Sequence, residues 1–291
     1  MIEVRNLSKV FQYKDKQNKT AEKTAVDNLS LAIKRGEIFG LLGPNGSGKT
    51  TTIHMLTMLT KPTSGEIFFD GKSVNAEDKN VREVKQMFGI VPQNLNFDMD
   101  LTVGENLELH GRLYHMSSSD RKKRIAELLD YVGLESVIND KVRNLSGGMK
   151  RRILIARALM HNPSILFMDE PTVALDPQIR RHIWELIREL AHKGTTVLIT
   201  THYIEEAEEL CDRVAIVNHG KLLDIDTPKG FISRLGRYVV EWTEGTHKEF
   251  KLFNSREEAG QYLTQLDAPG GIRKSNLEDV FIEMTGRKEG L

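Results

Sequence analysis

The sequence predicts a layered α/β fold around a parallel core sheet, and three observations carry that expectation. SILFMD (164–169) and TTVLITT (195–201) are continuous apolar runs, the pattern of strands buried on both faces of a parallel sheet. Between them, residues 178–192 place Ile179, Ile183, Leu186, Ile187 and Leu190 on one helical face, and a strand–helix–strand unit of this kind closes by a right-handed crossover. The run IFGLL (38–42) adds a third buried strand, followed at once by a glycine-rich loop and the helix-like TTIHMLTML.

The elements follow in order. The segment 14–23, KDKQNKTAEK, is almost wholly polar and reads as a surface loop between two strands. Short β-rich runs come next: AVDNLSLAI, IFGLL, GEIFF and GIV (89–91). From Thr102 the period changes to helical, opening with the capping-box spacing of Thr102 and Glu105. Further helices are expected around 120–132 and 147–160, so a helical insertion occupies roughly Asn94 to Pro163. Near Pro228 the character shifts again. RYVVEW and KEFKLF suggest two strands, Ser255 and Glu258 a capped helix to Leu266, and Asn276 the cap of a last helix, LEDVFIEMTG. The chain thus divides into 1–230 and a small α+β appendage at 231–291, with the helical part of the first at 94–163.

Composition narrows the function classes. With 291 residues, 39% hydrophobic and 28% charged, the chain has the balance of a globular protein. Lys plus Arg equals Asp plus Glu, 41 each, so nothing global favours nucleic acid or an anionic membrane surface. One cysteine, Cys211, excludes an intrachain disulfide and a cysteine-built metal cage. No apolar run approaches the ~20 residues of a membrane helix, and the first residues lack the apolar core of a signal peptide. Work at a membrane would therefore go through a partner rather than by direct insertion.

The chemistry starts at G-x-x-x-x-G-K-T, residues 43–50. Gly43, Gly46 and Gly48 let the main chain approach phosphate, and after Pro44, which turns the loop without a donor of its own, the N–H groups of Asn45, Gly46, Ser47, Gly48 and Thr51 open a helix N-terminus as an anion nest. Lys49 would reach the β- and γ-phosphates, and the Thr50 hydroxyl would bind Mg²⁺. A carboxylate pair lies far along the chain: Asp169 closes a buried strand to hold the metal, and Glu170 stands at its mouth to act on water. A second anion-binding helix end begins at Ser146, Gly147 and Gly148 in LSGGMKRRILIARALM. One nucleotide cannot easily use both helix ends of one subunit, so the second is expected to face a nucleotide held by another copy.

These motifs resemble, over about 2–226, the ATP-binding subunit of an ABC transporter. Gly43–Thr51 matches the family's Walker A loop, Gln93 in IVPQ its Q-loop and Leu145–Met149 its signature. Ile165–Glu170 matches Walker B, Ala174–Asp176 the D-loop, and His202 in ITTH the switch histidine. The resemblance implies a P-loop NTPase core with an antiparallel β subdomain and a helical subdomain. It implies ATP and Mg²⁺ as ligands, with Phe11 (Tyr13 second) stacking on adenine. It further implies metal contacts from Thr50, Gln93 and Asp169, catalysis by Glu170, His202 and Gln93, and Asp176 at the subunit contact. Its partners would be a second ATP-binding subunit, the same or a sister chain, and an integral membrane permease, with no nucleic acid; its place would be peripheral, on the cytoplasmic face of the cell membrane. Three positions depart from the common pattern: Met149 for Gln, VALD for SGLD, and Phe11 for Tyr. Phe97, Met99 and Leu101 read equally as a groove for the permease or as core packing, and the basic runs at Arg121 and Lys150 as solvated helix faces. NLEDVFIEMTGR resembles the C-terminal extension of daunorubicin-resistance-type exporters, which implies small-molecule efflux. A soluble ABC ATPase acting on DNA or the ribosome is the alternative, and the absence of a long heptad tract speaks against it.

Overall fold

The computed structural model describes residues 2–14, 18, 20–74, 81–244, 246–266 and 268–286. Its centre is a six-stranded sheet, in the order β10-β9-β3-β8-β7-β6. The strands are β3 (Ile38–Leu42), β6 (Phe88–Val91), β7 (Ile165–Asp169), β8 (Thr196–Thr201), β9 (Arg213–Asn218) and β10 (Lys221–Asp226). All pairings are parallel except that of β10 with β9. The apolar runs are explained by burial on both faces. Leu166 and Met168 of β7 enter one core cluster while Ile165 and Phe167 enter the other.

A second, antiparallel sheet has the order β2-β1-β4-β5, from β1 (Ile2–Lys14), β2 (Thr20–Ile33), β4 (Ser64–Phe69) and β5 (Lys72–Ser73). Here the expected loop at 14–23 needs correction. The β1–β2 ladder runs out to the pairing of Lys14 with Thr20, and Thr20–Lys23 belong to β2. This end of the hairpin is largely exposed on both sides, so no alternation of apolar residues marks it as strand. Residues 15–17 and 19 of that segment lie outside the described residues.

Helix α1 (Lys49–Leu56) follows β3, and α2 (Val81–Gln86) precedes β6. The insertion then holds α3 (Val103–Leu113), α4 (Ser118–Tyr131) and α5 (Gly147–Ala158). Thr102 and Glu105 form the reciprocal capping box expected for α3, and Ser117 caps α4. The crossover from β7 to β8 is α6 (Pro177–His192), whose buried face is Ile183, Trp184, Leu186, Ile187 and Leu190. Helix α7 (Ile204–Leu210) leads from β8 to β9.

The C-terminal part opens with α8 (Pro228–Leu235), which spans residue 230 and buries Phe231 in the main core. Strands β11 (Tyr238–Glu244), β12 (His247–Phe253) and β13 (Gly270–Lys274) form a separate antiparallel sheet in the order β12-β11-β13. Helix α9 (Arg256–Thr264) is capped by Ser255 and stops two residues short of the expected Leu266. Helix α10 (Leu277–Thr285) carries the capping box of Asn276 and Asp279, and returns Leu277 and Val280 to the main core. Arg273 binds both carboxylate oxygens of buried Asp279, at 2.7 and 2.6 Å, fastening β13 to α10. Among the described residues no helix is long and apolar enough to cross a membrane.

Candidate active site

The loop between β3 and α1 can close so tightly because its glycines are sterically required. A Cβ at Gly43 would overlap the carbonyl oxygen of Val217, and one at Gly48 would overlap that of Ala25. Gly48, the N-cap of α1, also has φ +101°, a region costly for L side chains. Gly46 has φ +83° but open space around it. The free amides at this helix start, aided by the helix dipole, suit an anion. Lys49 is almost fully buried, and its ammonium donates to the carbonyls of Gly43 (2.8 Å) and Pro44 (3.0 Å). Burial pulls its pKa down, opposed by the charge of Glu170 3.6 Å away.

The carboxylates approach from β7. Asp169 Oδ1 accepts from Thr50 Oγ1 at 3.2 Å and from Thr200 Oγ1 at 2.5 Å. Glu170 has φ +47°, an uncommon conformation for a non-glycine residue that costs of order 1–3 kcal/mol. Its amide is held by Thr200 through both the carbonyl and the hydroxyl, each at 3.1 Å. This turn lifts the Glu170 side chain into the cleft. Oε2 accepts from Gln93 Nε2 at 3.1 Å. Oε1 lies 3.1 Å from His202 Nδ1, but off the line of a hydrogen bond, so Nδ1 has no partner of that kind among the described residues.

These groups line one cavity of about 590 Å³ with Phe11, Lys23, Ala25, Asn45, Gly46, Gly48, Thr51 and Val173. That volume suits a small organic ligand. Gly43, Pro44 and Ser47 belong to the same loop; Asp169 stands behind Thr50. Tyr13 does not line the cavity, whereas Phe11 does, an exposed residue with the Lys9 ammonium 5.0 Å from its ring centre. Lys23, directly opposite Phe11 in the β1–β2 ladder, was hidden in the segment read as a loop.

Ser146, Gly147, Gly148 and Asp176 do not line this cavity. Ser146 caps α5, its hydroxyl accepting from the Met149 amide at 3.2 Å. Gly148 sits against Ile179, where a Cβ would overlap the isoleucine side chain. Asp176 caps α6 two residues earlier in the chain than Gln178, accepting from Ile179 N at 3.1 Å. The second helix end and the cap of α6 therefore form one exposed surface, separate from the phosphate loop.

Both basic runs are reassigned in part: half-buried Arg121 donates to Glu108 at 2.8 Å and Arg124 to Leu159 O at 3.0 Å. Arg151 is not on a solvated face: it is 5% exposed and donates to the carbonyls of Pro92 (2.8 Å) and Gln93 (2.9 Å). Arg152 donates to Val132 O at 2.7 Å. The helix that begins at Ser146 thus holds the backbone of Gln93. Phe97 packs against the core with Arg157 over its ring, while Met99 is exposed.

Residues 26–173 match the family model described as ABC transporter. The chain belongs to the ABC transporter family. It is 39% identical to Nod factor export ATP-binding protein I of Cupriavidus metallidurans, over 99% of this chain and 98% of the relative. It is 45% identical to Linearmycin resistance ATP-binding protein LnrL of Bacillus subtilis, over 81% of this chain and 72% of the relative. Among solved structures, a dimeric ATP-binding cassette in a post-hydrolysis state with ADP and Pi superposes with a TM-score of 0.70. That cassette is 35% identical, with 78% of this chain and 98% of the cassette covered. The chain is the ATP-binding subunit of an ABC transporter, an ATPase that binds and hydrolyses ATP. Such subunits work as pairs with membrane permeases.

Proposed function

We propose that this subunit drives small-molecule export through a separate integral membrane permease, hydrolysing MgATP at sites closed between two ATP-binding subunits. One observation carries the reading: Lys49, Thr50, Asp169, Glu170, Gln93 and His202 converge on one cleft while Ser146 and its glycines face elsewhere. That separation supports a lid supplied by a second chain. The export direction rests on the relatives, whose names print export and resistance.

The cleft fits its ligands. At Gly43 and Gly48 the cradle admits only main chain, and the ring of Phe11 offers a stacking face for adenine. Thr50 Oγ1, Asp169 Oδ1 and the amide oxygen of Gln93 are hard oxygen donors of the kind magnesium prefers, with phosphates completing its shell. When bound, the ion neutralises charge on the β- and γ-phosphates. The loop amides and Lys49 hold those phosphates. Glu170, steadied by Gln93, takes a proton from or orients the attacking water, and His202 reads the γ-phosphate from the other side. Ser146 and Gly148 of the second subunit close the site, with Asp176 at the seam. Phosphate loss removes the bridging charge and favours opening, a population shift between two states.

We assign the helical part, about 94–163, to the permease contact, with exposed Leu109 and Leu113 of α3 and Met99 as its apolar surface. Arg151 then links that part to Gln93. The subunit sits peripherally on the cytoplasmic face of the membrane. Purification from detergent-solubilised membranes is expected to recover a permease whose presence stimulates phosphate release. Recovery with ribosomes or DNA, and no membrane protein, overturns the transport reading.

A further inference from the structure

A carboxylate that no motif reading singled out lies beneath the catalytic turn. Glu206 of α7 is wholly buried. Its Oε1 accepts from Thr172 Oγ1 at 2.7 Å and from Trp184 Nε1 at 2.9 Å. Those two donors come from different elements: Thr172 is two residues past Glu170, also wholly buried, and Trp184 lies on the core face of α6. Glu206 itself is four residues past His202. An apolar side chain would fill the space without the cost of burying a carboxyl. Two strained residues, Glu170 at φ +47° and Ala174 at +59°, flank Thr172. Backbone of that kind persists only where its surroundings over-determine it. Thr200 grips the head of the turn at the Glu170 amide, and Glu206 grips it two residues later through Thr172. A parallel contact joins the same helices on the surface, with the Arg180 guanidinium 4.6 Å from the Tyr203 ring centre.

We propose that Glu206 is a positioning residue, which fixes through Thr172 the left-handed turn that aims Glu170 and ties that turn to the helix behind His202. The two groups that face the γ-phosphate then move as one body. Burial pushes the Glu206 carboxyl above its ordinary range, so a glutamine, neutral and of the same shape, keeps an oxygen for both donors.

This inference rests on Glu170 acting on water, so Glu170→Gln is run beside the test variants. Thr172→Val removes one donor without changing shape and is the decisive variant; Glu206→Leu and Glu206→Gln accompany it. Each is assayed for phosphate release, nucleotide affinity and thermal unfolding. Thr172→Val and Glu206→Leu are expected to lower kcat about 10-fold or more with KM for MgATP within about twofold, while Glu206→Gln stays within about threefold of the parent. Unchanged kcat per folded molecule in Thr172→Val overturns the proposal, even if Glu206→Leu fails to fold. So does a rise in KM alone, or a Glu206→Gln as impaired as Glu206→Leu. Should Glu170→Gln retain turnover, the role of Glu170 falls and the positioning role with it. An inactive Glu170→Gln beside a normal Thr172→Val removes the positioning role only.

Discussion

The phosphate cleft and the surface around Ser146 are both helix N-termini built with glycines, yet one is finished within the chain and the other is not. In the cleft, α1 begins at Gly48, where no side chain fits, and Lys49 is buried on carbonyls of its own loop. At the other end, Ser146 and Gly147 are exposed, and the Ser146 hydroxyl accepts from the Met149 amide of α5. The difference teaches where assembly acts. A site preorganised inside one chain can hold a nucleotide alone, whereas a bare helix end with exposed amides is complete only when a charged ligand is brought to it. Hydrolysis should therefore depend on both ends, and nucleotide binding by a lone subunit on the first only.

The most severe break falls inside the cleft. Glu170→Gln is expected to keep ATP affinity while hydrolysis drops ~10²–10⁴-fold, the scale of a positioned base; single-turnover phosphate release beside equilibrium nucleotide binding reads both. The same comparison predicts a different signature at the second end. Ser146→Arg should leave ADP affinity of the lone subunit unchanged and remove turnover of the pair, because its amides meet nucleotide only across the seam. Mixed with Lys49→Ala, it should regain activity, since a mixed pair holds one intact composite site; a mixture as inactive as its parents would place both helix ends in one chain's chemistry.

A pair of glycine variants sharpens the account of the cradle itself, the smaller effect falling at Gly46. Gly48→Ala combines a left-handed φ with a clash against Ala25 O, whereas Gly46→Ala meets open space and only the backbone cost, about 1–2 kcal/mol. Nucleotide titration should then show Gly48→Ala losing binding outright and Gly46→Ala weakening it by roughly 5–30-fold. Equal losses would mean that φ alone, and not the close approach of main chain, shapes the loop.

Much of this site was legible in the chain because its parts are local. A glycine loop needs only its neighbours to become a phosphate nest, and a run such as ILFMD announces a strand buried on both faces wherever it lies. The misreadings share one cause. The polar end of the β1–β2 hairpin is exposed on both sides and carries no period, so Lys23 was not seen beside Phe11. Arg151 sits in a basic run that looks solvated, but it is buried with its guanidinium on the carbonyls of Pro92 and Gln93. Thr200 and Glu206 are ordinary polar residues until the fold sets them under Asp169 and Thr172.

The sequence by itself determined the buried strands β3, β7 and β8, the helix between the last two, the phosphate loop and the carboxylates at the end of β7, since each follows from periodicity, glycine freedom and short-range spacing. Only the tertiary structure decided that Gln93, Glu170 and His202 meet in one cleft, that Ser146 faces away from it, and that Arg151 and Glu206 are buried. The physical reason is that burial of a charged group depends on which distant donors and carbonyls the fold leaves within reach, and no local pattern encodes that distance.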